Sequence, residues 1–193
     1  MNLLAQWFFD GDYHDRMNNY NTTPYTNISF TNSGYVNQAV RFTGNNDSML
    51  VASYIPLSGT DFTLDAWLYI TNLRMDKNIH GLFGICSEYS SFRCLHIILR
   101  QVSSKYVLSL NFFNSDCEGV TALTVNTWIH AAFVFDSATL TQKVYLNGML
   151  ENSCQATSAI NLTTTTNTTI GNIPLISGSP DYVPYQVSKM FFH

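Results

Sequence analysis

Three side chains with the chemistry of sugar recognition alternate along one short stretch of the chain. Asp65, Trp67 and Tyr69 occupy every second position between Asp61 and Ile70, so in a β-strand they would share one face. The alternate residues are apolar and are predicted to face the core: Phe62, Leu64, Ala66, Leu68 and Ile70. A flat aromatic ring packs against the apolar face of a sugar, and a carboxylate accepts hydrogen bonds from its hydroxyl groups. We therefore predict a ligand-binding role for these residues. The alternative is that a neighbouring loop simply covers Trp67.

Acid–base hydrolysis would require two carboxyl groups held close together. Retaining glycosidases place them about 5–5.5 Å apart, and inverting enzymes place them further apart. The only glutamates fall in predicted loops or at strand ends: Glu88, Glu118 and Glu151. Asp61 and Asp65 have i, i+4 spacing, but Asp61 begins a strand, where a turn residue is expected. No catalytic residue is predicted.

Histidines and turn aspartates are the remaining candidates for chemistry. Four histidines are scattered without metal-ligand spacing: His14, His80, His96 and His193. His130 lies two residues after Trp128 in an apolar run and is predicted to be a packed core residue rather than a catalytic one. Calcium prefers oxygen ligands, and turn aspartates supply them. Asp10, Asp12 and Asp47 are the calcium candidates, with ordinary turn residues as the alternative.

The four cysteines allow three disulfide pairings. Cys86 ends one apolar run and Cys94 begins the next, so both lie at the base of a hairpin loop, where opposed residues are close enough to bridge. Cys117 and Cys154 each follow a predicted strand. We therefore predict the disulfides Cys86–Cys94 and Cys117–Cys154, with four free buried thiols as the alternative. The Asn-x-Ser/Thr sequons and the low share of charged residues favour an oxidising compartment, in which disulfides persist.

Five Asn-x-Ser/Thr sequons are candidate N-glycosylation sites: Asn21, Asn27, Asn46, Asn161 and Asn167. A chain rich in asparagine and threonine contains several sequons by chance, but a secreted chain would carry glycans on some of them. The run from Leu162 to Thr169 is β-branched, polar and uncharged. It predicts an exposed edge strand that attached glycans protect from pairing with other chains.

Composition limits the classes of partner. Charged residues make up only 11% of the 193 residues, about half the usual share, and the net charge is −4. The chain has no cluster of lysine and arginine, which argues against nucleic acid and anionic membranes as partners. No apolar stretch approaches the ~20 residues of a membrane span, so membrane insertion by this chain is not expected. Leu3 to Phe9 lacks a basic leader and is predicted to be the first strand rather than a signal peptide.

The elements that position these residues are predicted to be β-strands. Trp128 to Phe135 and Gln142 to Leu146 form a strand pair, and Asn147-Gly148 tolerates the positive φ angles of the type I′ turn that follows. Short strands recur about every 8–12 residues with no helical pattern of useful length. The sequence therefore predicts an all-β sandwich of two antiparallel sheets, in one domain over residues 1–193.

The order of six motifs resembles the laminin G-like jelly roll of the concanavalin A-like lectins and glucanases. In chain order, the motifs are Trp7–Gly11, Asn37–Gly44, Asp61–Trp67, Trp128–Asp136, Val144–Gly148 and Ile170–Gly171. The resemblance implies two curved sheets in an extracellular module that binds glycans or proteins, in some members with calcium at the rim. Family members usually end on a strand with an aspartate, which Tyr185-Gln-Val187 lacks. The terminal strand is therefore expected to be incomplete, and a calcium site that uses this aspartate is in doubt.

Three functions follow from the residues and the resemblance together. The expected function is a non-catalytic extracellular module that recognises a glycan or a protein. The first alternative is a structural or adhesive spacer domain of a larger cell-surface protein, whose partner is another protein. The second is a glycoside hydrolase, because the same fold houses such enzymes. The resemblance implies that a hydrolase would carry its acids on one strand as Glu-x-Asp-x-Glu, and this chain has no such motif.

Overall fold

The described part of the chain is built from β-strands. This computed structural model describes residues 2–25, 28–42, 50–73, 78–87, 92–112, 114–162, 166–173 and 185–192. Within these ranges it contains fifteen strands and no α-helix. Accordingly, none of the described segments is a helix of the length and hydrophobicity needed to cross a bilayer.

The strands form two antiparallel sheets, as the sequence predicts. Sheet A contains β1 (Ala5–Trp7), β3 (Ser29–Thr31), β4 (Ala39–Phe42), β6 (Phe62–Ile70), β11 (Trp128–Asp136), β12 (Thr141–Leu146), β13 (Met149–Gln155) and β15 (Tyr185–Phe192). Sheet B contains β2 (Thr23–Pro24), β5 (Leu50–Ala52), β7 (Ile79–Cys86), β8 (Cys94–Val102), β9 (Lys105–Asn111), β10 (Asp116–Glu118) and β14 (Thr168–Ile170).

Each sheet brings together strands that are distant in the sequence. The order in sheet A is β13-β12-β11-β6-β15-β4-β3, with β1 pairing along the other half of β15. The order in sheet B is β10-β9-β8-β7-β14-β5-β2. Because neighbours such as β11 and β6 are not consecutive, the chain crosses repeatedly between the sheets, which is typical of a jelly-roll sandwich.

The core lies between the two sheets and is set by alternation along the strands. The inward residues of β6 are buried, as the sequence predicts: Phe62, Leu64, Ala66, Leu68 and Ile70. Those of β11 are buried against sheet B as well: Ile129, Ala131, Phe133 and Phe135. Burying each large apolar side chain stabilises the fold by roughly 1.5–3 kcal/mol, so these two strands form the centre of the core.

Aromatic rings connect the two sheets at one end of the core. Phe112, which directly follows β9 of sheet B, packs edge to face against Phe135 of sheet A with ring centroids 4.8 Å apart and an interplanar angle of 81°. Phe62 lies 5.8 Å from Phe135 on the adjacent strand. Edge-to-face contact aligns the positive ring edge with a negative ring face, so this cluster adds directional attraction to apolar burial.

The turn between β12 and β13 has the predicted backbone conformation. Asn147 and Gly148 have φ angles of 50° and 80°, so both central residues lie in the left-handed region that a type I′ turn requires. The backbone N–H of Asn147 also donates to the carbonyl oxygen of His130 at 2.7 Å. The turn is thereby fixed against the neighbouring strand β11.

The described end of the Thr-rich run, Thr168 and Thr169, does not form the exposed edge strand that the sequence predicts, and residues 163–165 of the run lie outside the described residues. β14 pairs with β5 on one side and β7 on the other, and all three of its residues are buried. The Thr169 hydroxyl lies 2.9 Å from the carbonyl oxygen of Asn172 and donates to it. A threonine can be buried inside a sheet when its hydroxyl has such an acceptor, and for this reason polarity alone is a poor guide to strand position.

Two disulfides are present, with the predicted pairings. Cys86 and Cys94 are directly opposite one another on β7 and β8, with Cα atoms 4.0 Å apart. Cys117 of β10 is bonded to Cys154 of β13, with Cα atoms 5.5 Å apart. β10 and β13 are the last strands of sheets B and A in the described order, so the second disulfide joins the two sheets along one side of the sandwich.

Removing the Cys117–Cys154 disulfide should destabilise the protein more than removing the other one. The cysteines are 37 residues apart in the first case and 8 in the second, and the longer loop restricts the unfolded chain more. We expect Cys117→Ala/Cys154→Ala to lower the unfolding free energy by about 4 kcal/mol and Cys86→Ala/Cys94→Ala by about 2.5 kcal/mol. Urea denaturation of both variants measures this difference, and equal losses would contradict the loop-length account.

Candidate functional site

The outer side of sheet A carries a cluster of aromatic and polar side chains. The cluster, here called the aromatic face, consists of Asp65, Trp67 and Tyr69 from β6 and Trp128 and His130 from β11. All five are half-buried, because alternate residues of each strand point away from the core. The structure therefore brings the three predicted ligand-binding residues together on one surface.

The register between β6 and β11 places the rings side by side. Trp128 is opposite Tyr69, and His130 is opposite Trp67. The ring centroids of Tyr69 and Trp128 are 5.4 Å apart, and those of Trp67 and His130 are 5.1 Å apart. Directly opposed residues on antiparallel strands approach this closely, so the two pairs form a continuous surface rather than isolated rings.

A hydrogen-bonded histidine–aspartate pair lies beside these rings. The Nε2 atom of His130 is 3.0 Å from Oδ1 of Asp65, and their side chains are 28% and 19% exposed. The residue opposite Asp65 is the small Ala132, so the carboxylate reaches His130 diagonally without obstruction. The backbone N–H of His130 donates to Oδ1 of Asn147 at 2.9 Å, so this histidine is held at both its backbone and its ring.

The prediction that His130 is a core residue is wrong. Trp128 to Phe135 is a continuous apolar run, and such a run conceals which residues face inward. In the structure Ile129 and Ala131 point into the core, and His130 between them points outward. The same alternation brings Trp128 to the aromatic face. The only signal in the sequence was the polarity of His130 itself, because Ala132 and Val134 on the same face are as apolar as the inward residues.

A loop residue covers part of the aromatic face. Tyr35, between β3 and β4, stacks on Trp67 with ring centroids 3.5 Å apart and an interplanar angle of 9°. Its ring is also 6.2 Å from that of Trp128, inclined at 66°. Tyr35 is 46% exposed, so it covers one side of Trp67 and forms the outermost ring of the cluster. Coverage of Trp67 by a neighbouring loop was the alternative considered from the sequence. Such a loop is present, and the residue that covers Trp67 is itself aromatic.

Asp10 fixes the loop that carries Tyr35. The backbone N–H of Gln38 donates to Oδ1 of Asp10 at 3.2 Å, and the side-chain amide of Asn37 donates to Oδ2 at 3.3 Å. Asn37 has a φ of 57°, in the left-handed region that asparagine tolerates. These contacts define the path of the loop on both sides of its tip. Nothing in the sequence near Tyr35 indicates that its ring reaches Trp67.

The predicted calcium ligands already have protein partners. Asp10 accepts the hydrogen bonds from the Tyr35 loop, and Asp12 accepts one from the backbone N–H of His14 and pairs with Arg16 at 3.3 Å. Asp47 lies outside the described residues. Calcium binding at this rim stays a prediction.

The sequence did not single out Asp15, which organises the N-terminal loop. Its buried carboxylate accepts four backbone hydrogen bonds, from Gln6, Met17, Asn19 and Tyr20. A buried carboxylate needs such compensation, because its hydration is lost on folding. Asp15 is therefore a structural residue rather than a ligand-binding one.

The first aspartate of the i, i+4 pair, Asp61, has a structural role. Its Oδ1 accepts hydrogen bonds from the hydroxyl of Ser137 at 2.6 Å and from its backbone N–H at 2.7 Å. These bonds, the hydroxyl first, lower the pKa of Asp61. Asp61 thus joins the start of β6 to the turn after β11, and Asp65 has a histidine rather than this carboxylate as its partner.

The outer side of sheet B carries a different polar group, which the sequence did not indicate. Asp116 and Glu118 share one face of β10, and both pair with Nη1 of Arg100. Glu118 lies 3.2 Å from this nitrogen. Both carboxylates are engaged with one cation, whereas glycoside hydrolysis needs one carboxyl group available to donate a proton. Arg100, Asp116 and Glu118 therefore form an ion-pair network.

His96 is buried beside this network on the adjacent strands. It lies opposite Asn111, which in turn lies opposite Asp116. Burial lowers the pKa of His96 to about 4, although the charge of Asp116 acts in the opposite direction. The imidazole is therefore neutral at physiological pH.

Three of the five sequons lie in the described part of the chain and have exposed asparagines: Asn21, Asn161 and Asn167. The side chain of Asn21 is engaged within its loop, because its Oδ1 accepts from the backbone N–H of Asp15 and its Nδ2 donates to Asn18. Asn27 and Asn46 lie outside the described residues. Glycosylation of these sites stays a prediction.

Comparison with protein-family models identifies the chain. Residues 43–184 match the model of the concanavalin A-like lectin/glucanases superfamily. The chain belongs to this superfamily. The match confirms the laminin G-like resemblance of the sequence motifs and agrees with the two antiparallel sheets. Comparison with curated protein sequences gives no match.

Solved structures of the same fold include several binding domains. Domain 4 of an extracellular arabinanase from Geobacillus stearothermophilus, in complex with arabinotriose, has a TM-score of 0.70 and 15% identity, covering 98% of this chain and 92% of that one. The binding domain of Paraclostridial mosquitocidal protein 1 has a TM-score of 0.70 and 17% identity, and the match covers 98% of this chain and 48% of that one. The receptor-binding domain of botulinum neurotoxin type G has a TM-score of 0.71 and 12% identity, and the match covers 100% of this chain and 47% of that one. The chain thus spans about half the length of these toxin domains.

Acidification should destabilise the protein through His96. A free histidine titrates near pH 6.5, so between about pH 6.5 and pH 4 the unfolded chain binds a proton that the folded protein does not. The unfolding free energy should fall as the pH drops through this window, and the gap between the two pKa values corresponds to about 3 kcal/mol.

Urea denaturation at several pH values measures this effect. We expect His96→Gln to remove most of the fall in unfolding free energy between about pH 6.5 and pH 4. His14→Gln, which removes an exposed histidine, is the matched control for the loss of a titrating group. An identical pH dependence of the wild type and His96→Gln would show that burial of His96 does not determine acid stability.

Proposed function

We propose that the chain is a non-catalytic extracellular module that binds a glycan on the aromatic face of sheet A. The observation that carries the proposal is the Asp65–His130 pair set among three aromatic rings. The rings offer apolar planes to the C–H faces of a sugar, and the pair offers hydrogen-bonding groups to its hydroxyls.

Tyr35 gives the proposed site its shape. The planes of Tyr35 and Trp128 are inclined at 66°, so a sugar that contacts both meets two differently oriented walls. Trp67 is already stacked beneath Tyr35 and supports it from below. In this proposal Tyr69, Trp128 and Tyr35 contact the ligand, whereas Trp67 acts mainly as a positioning residue.

The partners of domains with a similar fold support a glycan as the ligand. The arabinanase domain is in complex with arabinotriose, and the entry of botulinum neurotoxin type C depends on two ganglioside molecules. These partners contain sugars, and a module with a net charge of −4 and few charged residues suits a neutral glycan better than a polyanion. The extracellular location is supported by the two disulfides, which persist in oxidising compartments.

A glycan array of the folded, glycosylated protein, read with and without calcium, tests the proposal. We expect Trp128→Ala to weaken binding about tenfold, because one stacking plane is lost. We expect Asp65→Asn to weaken it at least tenfold, because a charged acceptor is replaced by a neutral one. Val134→Ala, on the same face of β11 but away from the rings, is the matched control and should bind like the wild type.

The variant Tyr35→Ala separates the role of the loop from that of the sheet. Loss of the Tyr35–Trp67 stack should lower the unfolding free energy by about 1 kcal/mol and should weaken glycan binding. Thermal denaturation and the same array measure the two effects. Failure of the wild type to bind any sugar would overturn the proposal and favour the alternative of a spacer domain with a protein partner.

A further inference from the structure

A groove lies on sheet B, away from the aromatic face. It is lined by residues of β2, β5, β14 and the segments next to them: Thr23, Pro24, Tyr25, Val51, Asn167 and Thr169. Its volume is about 450 Å³. Pockets that hold small ligands have volumes of about 300–1,000 Å³, so the groove is large enough for one or two sugar residues.

The chemistry of the groove suits an uncharged ligand. Thr169 and Thr23 are both opposite Val51, so two threonines and a valine lie in one row across three strands. Tyr25, at one wall, is 63% exposed and presents a ring to the groove. None of the lining residues in the described ranges is charged. An exposed aromatic ring beside hydroxyl groups is the surface against which a pyranose ring packs.

One lining residue is also a candidate attachment point. Asn167 is the first residue of the sequon Asn167-Thr168-Thr169 and is exposed immediately before β14. A sugar joined to its Nδ2 would begin its path at the wall of the groove. The occupant would therefore be held there by a covalent bond, without the loss of translational freedom that a separate ligand suffers.

We infer that Asn167 carries an N-linked glycan whose first N-acetylglucosamine residues lie in this groove against Tyr25. In the transfer step Nδ2 of Asn167 loses a proton and forms a bond to C1 of the sugar. The bond from C1 to a lipid-linked pyrophosphate breaks, and the pyrophosphate leaves with the electron pair. The inference rests on the secretory location in the proposed function, but not on ligand binding at the aromatic face.

The folded structure also fixes when the modification occurs. The hydroxyl of Thr169, the third residue of the sequon, is buried and donates to the backbone oxygen of Asn172. A transferase that needs this hydroxyl cannot reach it once β14 is paired with β5 and β7. The sugar is therefore added before β14 pairs, and it settles into the groove as sheet B forms.

The test uses the full chain secreted from eukaryotic cells. Glycopeptide mass spectrometry measures occupancy at each sequon, and thermal denaturation is carried out on Tyr25→Ala, Asn167→Gln and the double variant. We expect occupancy at Asn167. We also expect Tyr25→Ala to lower the Tm by about 2–4 °C in the glycosylated protein and by much less in the Asn167→Gln background.

Asn161 supplies the matched control. It is an exposed sequon asparagine that does not line the groove. In the Asn161→Gln background, Tyr25→Ala should lower the Tm as much as it does in the wild type. An unmodified Asn167, or equal effects of Tyr25→Ala with and without the Asn167 sequon, would overturn the inference. A glycan array on the same variants distinguishes failure of this inference from failure of the proposed function. Loss of the Asn167 glycan should leave ligand binding at the aromatic face unchanged.

Discussion

The register between β6 and β11 is the constraint on which both the core and the proposed site depend. Eight residue pairs, from Trp128↔Tyr69 to Phe135↔Phe62, fix these strands against one another. Side chains alternate between the two faces, so a slip of one residue would expose the apolar set and bury Asp65 and the rings around it. Burial of the inward residues therefore determines which side chains meet on the outer surface. The chemistry of the aromatic face is a consequence of the packing behind it.

The sequence was informative where polarity alternates and uninformative where it does not. β6 alternates apolar with polar or aromatic residues, so its inward and outward sets were correctly separated. β11 is apolar at every position except His130 and Asp136, and His130 was assigned to the wrong side. The stack of Tyr35 on Trp67 joins residues 32 positions apart through a loop without periodicity, so only the tertiary structure reveals it. β14 was placed at an edge because its threonines are polar, whereas both threonines are buried inside sheet B and the hydroxyl of Thr169 bonds to backbone oxygens there.

The outer surfaces of the two sheets differ in how far their polar side chains are buried and in the partners that those side chains have. On sheet A the side chains of Asp65 and His130 are 19% and 28% exposed, so the pair is partly open to solvent. On sheet B, His96 is buried and neutral, and Arg100 is shared between two carboxylates. The groove beside Asn167 also belongs to sheet B. A glycan attached there and a ligand held on the aromatic face would occupy opposite sheets, and neither would obstruct the other.

The Cys117–Cys154 bond has a mechanical consequence for the proposed site. When the chain is pulled from its two ends, tension passes through the sulfur atoms and bypasses the intervening segment, which spans a separation of 37 residues. At about 3.4 Å per extended residue, unfolding under force would release roughly 125 Å less contour length than in a chain without this bond. β11 and β12 lie inside this shielded loop. The backbone around Trp128 and His130 would therefore bear no tension along the stretched chain while this disulfide is intact.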